Sequence, residues 1–315
     1  MADGSLDTDS EDEIPAGWEE RMTLDGDNYH MAGKGSLKMM ELSSMWSFET
    51  ARSLAFHGAH VVMACRNTMS AQTCRDLILA ERPGVKVTVM KIDLASLNSV
   101  KEFADQYKQQ EWPLHYLICN AAVFGLPYTQ TEDGLEATFQ VNHLAHFYLT
   151  KLLWTQLMTS APARVIVVSS ESHRSADLNI LNLSEEKLSP LESGYWDLRA
   201  YNLSKLCNLL FSLHLNTLLC RYRVSSVALH PGNMMYTNLQ RHWWLYRTIF
   251  YFVRPWTKSM QQGAATTVYC AIAPEMQAVG GMYFNNCCRC PPSSAGADDE
   301  LAKALWDIIM DCLYL

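Results

Sequence analysis

The stretch that decides the fold is SSMWSFETARSLAFHGAHVVMACRN, residues 43–67, because it joins the periodicity of a helix to that of a buried strand. Its first half carries apolar side chains at the spacing of one helical face, at Phe48, Ala51, Leu54 and Ala55. Gly58 stands where the C-terminal cap of a helix is expected, and residues 60–65 form a short apolar run. The spacing therefore predicts a helix followed by a buried strand.

The same alternation continues along the chain. Apolar strands are predicted at 59–65, 86–92, 114–119, 163–169, 222–229 and 280–284. Helices are predicted at 70–81, 96–110, 131–158, 195–219, 257–273 and 297–312. Continuous apolar strands separated by helices are typical of parallel sheets that are covered on both faces. The sequence therefore predicts an α/β fold with a doubly wound, Rossmann-like parallel sheet.

Composition limits the function classes. A chain of 315 residues, of which 49% are hydrophobic, is long enough for one large α/β domain with short appendages. The formal net charge is −8, and the first twenty residues hold acidic side chains but no Lys or Arg. The rest of the chain is balanced in charge, which argues against nucleic-acid binding, and residues 1–13 are predicted to be an acidic disordered tail.

Targeting and metal signals are weak. The acidic, polar start is unlike a signal peptide, and the longest apolar stretch, 244–256, is too short to span a bilayer. That stretch is interpreted either as a lid over a pocket or as a membrane-surface segment. Ten cysteines without a disulfide framework favour the cytoplasm, with membrane-surface or organelle association left open. The cluster Cys287, Cys288 and Cys290 has no CxxC spacing, so no metal site is expected.

Residues 14–28, IPAGWEERMTLDGDN, have the pattern of a short strand and a turn, and resemble the beginning of a WW domain. WW domains bind Pro-Pro-x-Tyr peptides in a groove that includes a second Trp, and none follows Trp18 at the required distance. Peptide partners are therefore expected only for an intact WW region. Residues 33–36, GKGS, lack the spacing of a phosphate-binding P-loop, so 29–46 is predicted to be a linker.

One pair of residues suggests acid–base chemistry. Tyr201 and Lys205 lie four residues apart in AYNLSK, on one face of a predicted helix. A phenol with a pKa of about 10 is a poor acid or base at neutral pH, whereas a neighbouring ammonium favours the phenolate. The pair alone is a weak signal, because this spacing is common on solvated helix faces.

Further polar residues follow predicted strands or lie on the helix between them. These are Asn120 in LICNAA, Asn142 in VNHLAHF, Ser169 and Ser170 in ARVIVVSSE, and Pro231 with Gly232 in LHPGN. The carboxyl ends of parallel strands meet at one edge, where ligands bind. Together with Tyr201 and Lys205, this order resembles the short-chain dehydrogenase/reductase family over residues 47–290, and 291–315 is predicted to be a C-terminal helix.

The resemblance implies four catalytic roles. Tyr201 would exchange a proton with the substrate oxygen, and Ser170 would polarise the substrate carbonyl. Lys205 would lower the pKa of the tyrosine and bind the cofactor ribose, and Asn142 would hold a water for proton relay. Metal ligands are not implied, because His143 and the nearby His146 have no HExxH pattern.

The resemblance also implies a dinucleotide site. Its contacts would be Arg66, Asp93, Asn120, Ala121, Tyr201, Lys205, Pro231 and Gly232. Arg66 directly follows the predicted strand 59–65, where an arginine pairs with a 2′-phosphate and an acid would select NAD. NADP is therefore expected rather than NAD.

Two features of the family are absent. The family begins with a strand and Thr-Gly-x-x-x-Gly-x-Gly, whereas ELSSMWS, residues 41–47, contains no glycine. Glycine is required because the backbone must approach the pyrophosphate closely. The sheet is therefore predicted to lack its first strand, with three alternatives: recruitment of 36–42, closure of the gap, or an unstable domain.

Two hypotheses on function follow. The first is an NADP-dependent short-chain oxidoreductase that reduces a carbonyl or oxidises an alcohol on a small lipophilic substrate. The second is a catalytically impaired, shortened form that acts as an interaction or regulatory protein. The substrate itself is not defined, because the pocket would be lined by the variable segments 171–195 and 236–256.

Overall fold

The computed structural model describes residues 37–41, 45–232 and 260–313. The acidic tail, the WW-like segment 14–28 and the apolar stretch 244–256 lie outside the described residues, so the expectations for them stay predictions. Within the described part, each of the six predicted strands is present, and the α/β class is confirmed.

The architecture is an eight-stranded sheet in the order β3-β2-β1-β4-β5-β6-β7-β8. Its strands are β1 Leu37–Glu41, β2 His60–Cys65, β3 Lys86–Lys91, β4 Tyr116–Cys119, β5 Ala163–Val168, β6 Val224–His230, β7 Tyr283–Asn285 and β8 Cys288–Cys290. Only β8 among these runs antiparallel to its neighbour, β7. The doubly wound parallel sheet is thus the predicted one, extended by an edge strand that the sequence pattern did not indicate.

The helices connect the strands on both faces. They are α1 Met45–Phe56, α2 Thr68–Glu81, α3 Leu97–Gln109, α4 Ala145–Leu152, α5 Trp154–Thr159, α6 Glu185–Leu188, α7 Asp197–Leu219, α8 Met260–Ile272 and α9 Asp299–Cys312. After α1, the chain reverses at Gly58, whose φ of 83° is in the left-handed region that favours glycine. The opening stretch therefore folds as its periodicity predicts.

The prediction that the sheet lacks its first strand is wrong. β1 lies between β2 and β4, with Lys38 opposite Val61 on one side and Tyr116 on the other. A parallel ladder is held by backbone N–H and C=O groups, so a segment without the family's sequence motif can supply them. Of the alternatives, recruitment of 36–42 is the one observed, and the sheet takes these residues from the segment predicted to be a linker.

A second difference concerns the single helix predicted over 131–158. Its first part is a short turn, Ala137–Phe139, followed by a π-helical segment, Gln140–Leu144, before α4 begins. A π-helical turn makes i→i+5 hydrogen bonds and commonly occurs at functional sites. Here it contains Asn142.

The core has two layers separated by the sheet. Along β2, Val62 and Ala64 belong to the larger apolar cluster, whereas Val61 and Met63 belong to the cluster on the opposite face. All four side chains are fully buried. Both faces of β2 are therefore covered, as its continuous apolar run predicts.

Helix α7 lies at the centre of the larger layer. With its continuation to Tyr222, this helix is long and apolar enough to cross a membrane. However, 67% of its most apolar stretch of 18 residues is buried inside the protein. Helices at the centre of a domain have the same length and composition. In this structure α7 packs against β5, β6 and α9, and that packing fixes its first turns at the sheet edge.

Candidate active site

The site is built where the carboxyl ends of the central strands meet the beginning of α7. β4 ends one residue before Asn120, and β5 ends two residues before Ser170. α7 begins at Asp197, so Tyr201 and Lys205 lie in its second and third turns. The parallel arrangement thus gathers residues that are up to 85 positions apart in the sequence.

Ser170 and Tyr201, two of the residues predicted to be catalytic, are neighbours at this edge. A hydrogen bond with Ser170 acts to lower the pKa of Tyr201, but burial of the phenol has the larger effect and raises that pKa to about 12. The Tyr201 ring also packs edge-on against Phe124, with 4.8 Å between ring centroids. The phenol is therefore a protonated acid at neutral pH, next to a hydroxyl that can share the same substrate oxygen.

Lys205 is almost completely buried, at 2% exposure, below the tyrosine. Its Nζ donates to the backbone oxygen of Val168 at 3.1 Å and lies 5.6 Å from the centre of the Tyr201 ring. Burial lowers the pKa of Lys205 to about 7. The resemblance implies that Lys205 lowers the pKa of Tyr201. In this structure burial has the largest effect on the phenol and raises its pKa, so the role implied for Lys205 stays a prediction.

The two serines at the end of β5 have different surroundings. Ser169 is buried and its Oγ donates to the backbone oxygen of Lys205 at 2.7 Å, so it ties β5 to α7. Ser170 is partly exposed, and its Oγ accepts a hydrogen bond from the backbone N–H of Ser172 at 3.3 Å. Ser170 is therefore the more accessible of the two serines.

The side-chain amide of Asn142 forms hydrogen bonds with both backbone groups of Val123. Its Oδ1 accepts from the N–H of Val123 at 2.7 Å, and its Nδ2 donates to the oxygen of Val123 at 3.0 Å. Nδ2 also donates to Ser204 Oγ at 3.0 Å. These bonds attach the loop after β4 to α7, and they place Phe124 against Tyr201. The water relay that the resemblance implies for Asn142 stays a prediction.

The residues predicted to hold the cofactor line the same edge. Arg66 follows β2 and is exposed, with no hydrogen bond or ion pair to another described residue. Asp93 follows β3, and its Oδ1 accepts from the N–H of Ala95 at 3.0 Å. Ala121 is partly buried after Asn120. All of these positions, with the buried Pro231 and Gly232 after β6, follow the carboxyl ends of parallel strands, and the dinucleotide contacts that the resemblance implies for them stay predictions.

The centre of that site fits less well. Residues 42–44, Leu-Ser-Ser, are all that separates the end of β1 from the beginning of α1, and none is glycine. In the first turn of α1, Ser47 is buried and its Oγ accepts from Asn120 Nδ2 at 2.7 Å. The first turn of α1 is thus bonded to the residue that follows β4, and the connection lacks the glycines that allow a pyrophosphate to approach the backbone.

Residues of one neighbouring turn were not predicted. Glu171 accepts from Tyr283 Oη at 2.6 Å, and His173 Nδ1 lies 2.6 Å from the backbone oxygen of Ser170. The only sequence signal was their adjacency to Ser170 in SSESHR, because the partner Tyr283 lies 112 residues further along the chain.

Comparison with known proteins gives a consistent family. A model of the short chain dehydrogenase family matches residues 47–178. The WW domain-containing oxidoreductase of Homo sapiens is 57% identical over 261 residues, which cover 82% of this chain and 63% of that protein. Retinol dehydrogenase 12 of Mus musculus is 37% identical over 265 residues, which cover 84% of this chain and 82% of that protein. The chain thus spans less than two thirds of the WW domain-containing oxidoreductase.

Solved structures agree on the fold. An uncharacterized protein from Mycobacterium paratuberculosis has a TM-score of 0.68 at 29% identity, covering 89% of this chain and 93% of that chain. The L-sorbose reductase of Gluconobacter frateurii, complexed with NADPH and L-sorbose, has a TM-score of 0.62 at 16% identity. That match covers 80% of this chain and 95% of the reductase.

Proposed function

This chain belongs to the short-chain dehydrogenase family, and on that premise we propose that it is an NADP-dependent oxidoreductase that interconverts a carbonyl and an alcohol on a small lipophilic molecule. The observation that carries the proposal is the meeting of Ser170, Tyr201 and Lys205 at the carboxyl edge of β5. A phenol, a hydroxyl and a buried amine in this arrangement are the groups needed to hold and protonate a developing alkoxide.

In the direction of reduction, the substrate oxygen would lie between the hydroxyls of Ser170 and Tyr201. When a dinucleotide is held at this edge of the sheet, it would supply the hydride for the carbonyl carbon. Ser170 donates a hydrogen bond to the oxygen as negative charge develops, and Tyr201 transfers its phenolic proton to that oxygen. The proton transfer is favourable because an alkoxide is far more basic than a phenolate, even when burial raises the phenol pKa to about 12.

Lys205 would assist from below the tyrosine. With a pKa lowered to about 7, it is charged in part of the molecules at neutral pH, and its ammonium stabilises the phenolate that the transfer leaves. Its contact with the Val168 oxygen holds the amine at the base of the pocket, where it would also bind the cofactor ribose.

Cofactor and substrate classes are inferred from the surroundings. The exposed guanidinium of Arg66 suits a 2′-phosphate, which supports NADP over NAD. The partly exposed ring of Phe124 beside Tyr201 offers an apolar wall, and a relative is a retinol dehydrogenase. None of the ten cysteines forms a disulfide, which supports the prediction of a reducing compartment such as the cytoplasm.

The second candidate is a catalytically impaired form that acts through interactions. The connection 42–44 without glycine favours it, because weak pyrophosphate binding would limit turnover. Binding of Pro-Pro-x-Tyr peptides is not part of this proposal, since 14–28 lies outside the described residues and lacks the second Trp.

Cofactor titration separates the two candidates. The enzyme hypothesis predicts that NADPH at millimolar concentration raises the melting temperature and that a lipophilic aldehyde such as retinal is reduced with loss of NADPH absorbance. Tyr201→Phe, which keeps the ring against Phe124, should retain the thermal shift and lose at least about 100-fold in kcat. If NADPH gives no thermal shift, the impaired form is the better description.

A further inference from the structure

The turn after Ser170 is bonded to a distant part of the chain. Ser170 caps the 3₁₀ turn Glu171–Ser175, and the backbone N–H of His173 donates to its carbonyl oxygen at 3.0 Å. The ring of His173 is 1% exposed, with Nδ1 2.6 Å from the same oxygen. Its Nε2 accepts from the backbone N–H of Ser293 at 3.1 Å. One side chain thus joins Ser170 to the segment before α9.

The bonds fix the tautomer. An imidazole nitrogen that accepts from a backbone N–H carries no hydrogen, so His173 Nε2 is the acceptor and Nδ1 carries the hydrogen. Nδ1–H therefore donates to the Ser170 oxygen, which receives two hydrogen bonds. Burial lowers the pKa of His173, which favours this neutral form.

Neighbouring groups hold the ring in place. The Tyr283 ring meets His173 edge-on at 5.2 Å, and its hydroxyl donates to Glu171 at 2.6 Å. On the other side, Arg174 Nε donates to Glu171 at 2.6 Å and its second nitrogen donates to the oxygen of Pro291 at 2.7 Å. The turn is therefore bound at three points to β7 and to the chain after β8.

We propose that His173 is a positioning residue for the reaction proposed above: it sets the backbone of Ser170, and hence the distance of its hydroxyl from Tyr201, through the hydrogen bond that Nδ1–H donates to the Ser170 carbonyl oxygen. The inference rests on the proposed function for its kinetic consequence. The Ser170 hydroxyl accepts a long hydrogen bond of 3.3 Å from the backbone N–H of Ser172 and is also bonded to Tyr201, so the geometry of the Ser170–Tyr201 pair depends on the backbone that carries Ser170. A displacement of about 1 Å at such a group can cost about 100-fold in rate.

Two variants separate the bonds of the ring. In His173→Asn, the side-chain amide places a donor near the position of Nδ1 and loses the acceptor for Ser293. In His173→Gln, the longer side chain places an acceptor near the position of Nε2 and loses the donor to Ser170. We expect His173→Asn to stay within about 3-fold of the wild-type kcat, and His173→Gln to lose at least about 10-fold in kcat at unchanged KM.

A control variant and a spectroscopic measurement test the positioning role of His173 without relying on catalytic activity. His57→Gln is the matched control, because His57 Nδ1 also contacts a backbone oxygen, that of Ser53 at 2.8 Å, but on α1. With 3-fluorotyrosine incorporated, the ¹⁹F resonance lost in Tyr201→Phe reports the hydrogen bond between Tyr201 and Ser170. The chemical shift of this resonance should change in His173→Gln. It should stay unchanged in His173→Asn and in the control His57→Gln.

The outcomes distinguish the two proposals. If the wild type reduces no lipophilic aldehyde with NADPH, the proposed function fails, while the ¹⁹F shift still tests His173. If His173→Asn and His173→Gln give the same ¹⁹F shift, and lose melting temperature and kcat to the same extent, the ring is only structural and the positioning role is overturned.

Discussion

The Nζ of Lys205 lies 5.6 Å from the centre of the Tyr201 ring, yet it donates its hydrogen bond to the backbone of Val168 rather than to the phenol. The amine and the phenol are both desolvated, and burial shifts their pKa values in opposite directions, to about 7 and about 12. Both shifts favour the uncharged forms. Both groups are consequently mainly uncharged between about pH 7 and about pH 12.

The buried amine predicts a stability that depends on pH. Between about pH 7 and pH 10.5, the unfolded chain keeps a proton on Lys205 that the folded chain has lost, so the free energy of unfolding rises with pH in this window. Urea unfolding at pH 7 and pH 9.5 should show a rise of about 1–3 kcal/mol that Lys205→Met removes. If the free energy of unfolding rises equally in Lys205→Met, the amine of Lys205 is not the source of the pH dependence.

A second pH dependence should appear on the acid side. His143 is fully buried, its Nδ1 lies 3.0 Å from Asn208 Oδ1, and burial lowers its pKa to about 3. Below pH 6.5 the unfolded state binds a proton that the folded state does not, so stability falls as the pH falls toward 3. His143→Gln should weaken this fall by about 2 kcal/mol between pH 7 and pH 5, measured by urea unfolding. An unchanged slope would contradict the assignment.

Arg66 should determine the choice of dinucleotide. Arg66→Gln removes a charge that would pair with the 2′-phosphate, so the Kd of NADPH should rise about 10-fold while that of NADH stays within about 2-fold. Arg75→Gln is the matched control, because Arg75 is an arginine on α2 that pairs with Asp76 at 2.8 Å. If Arg66→Gln and Arg75→Gln raise the Kd of NADPH equally, the affinity depends on the overall positive charge of this surface and not on a specific contact with Arg66.

The connection between β1 and α1 should limit cofactor affinity. Replacing Leu-Ser-Ser at 42–44 by Thr-Gly-Ala-Ser-Ser-Gly-Ile-Gly would supply the glycines of the family motif, and NADPH should bind at least about 10-fold more tightly. An insertion of equal length with alanine in place of each glycine separates loop length from glycine content. If both insertions improve binding equally, length rather than backbone approach is the limiting property.

The last helix should be essential for stability. Trp306 of α9 is 7% exposed, with ring centroids 4.6 Å from Phe147 and 6.1 Å from Phe211. Trp306→Ala should lower the free energy of unfolding by about 3–5 kcal/mol, because a large buried side chain leaves a cavity. Trp196→Ala is the control: that ring is 56% exposed, and its loss should change stability by less than about 0.5 kcal/mol.

Prediction from sequence succeeded where local pattern and topology act together. The apolar runs predict β2 and β5, and the rule that parallel strands end at one edge brings Asn120 and Ser170 together. Tyr201 joins them from α7. It failed for β1, because the centre of a parallel sheet selects a segment by its backbone and not by a motif. It also missed His173, whose partner Ser293 is 120 residues away and leaves no local signature.

Because β1, Leu37–Glu41, lies at the centre of the sheet, its amino-acid sequence can vary between chains of this fold. Where neighbouring strands on both sides supply the amide ladder, the intervening segment is exchangeable, and a spliced or recombined coding sequence can replace it without rearranging the topology. The loop that follows is not exchangeable in the same way, because the glycines that the family has there serve a ligand rather than the sheet. The fold and the affinity for a dinucleotide can therefore change independently in this chain, because the strand serves the sheet and the short connection beside it serves the ligand.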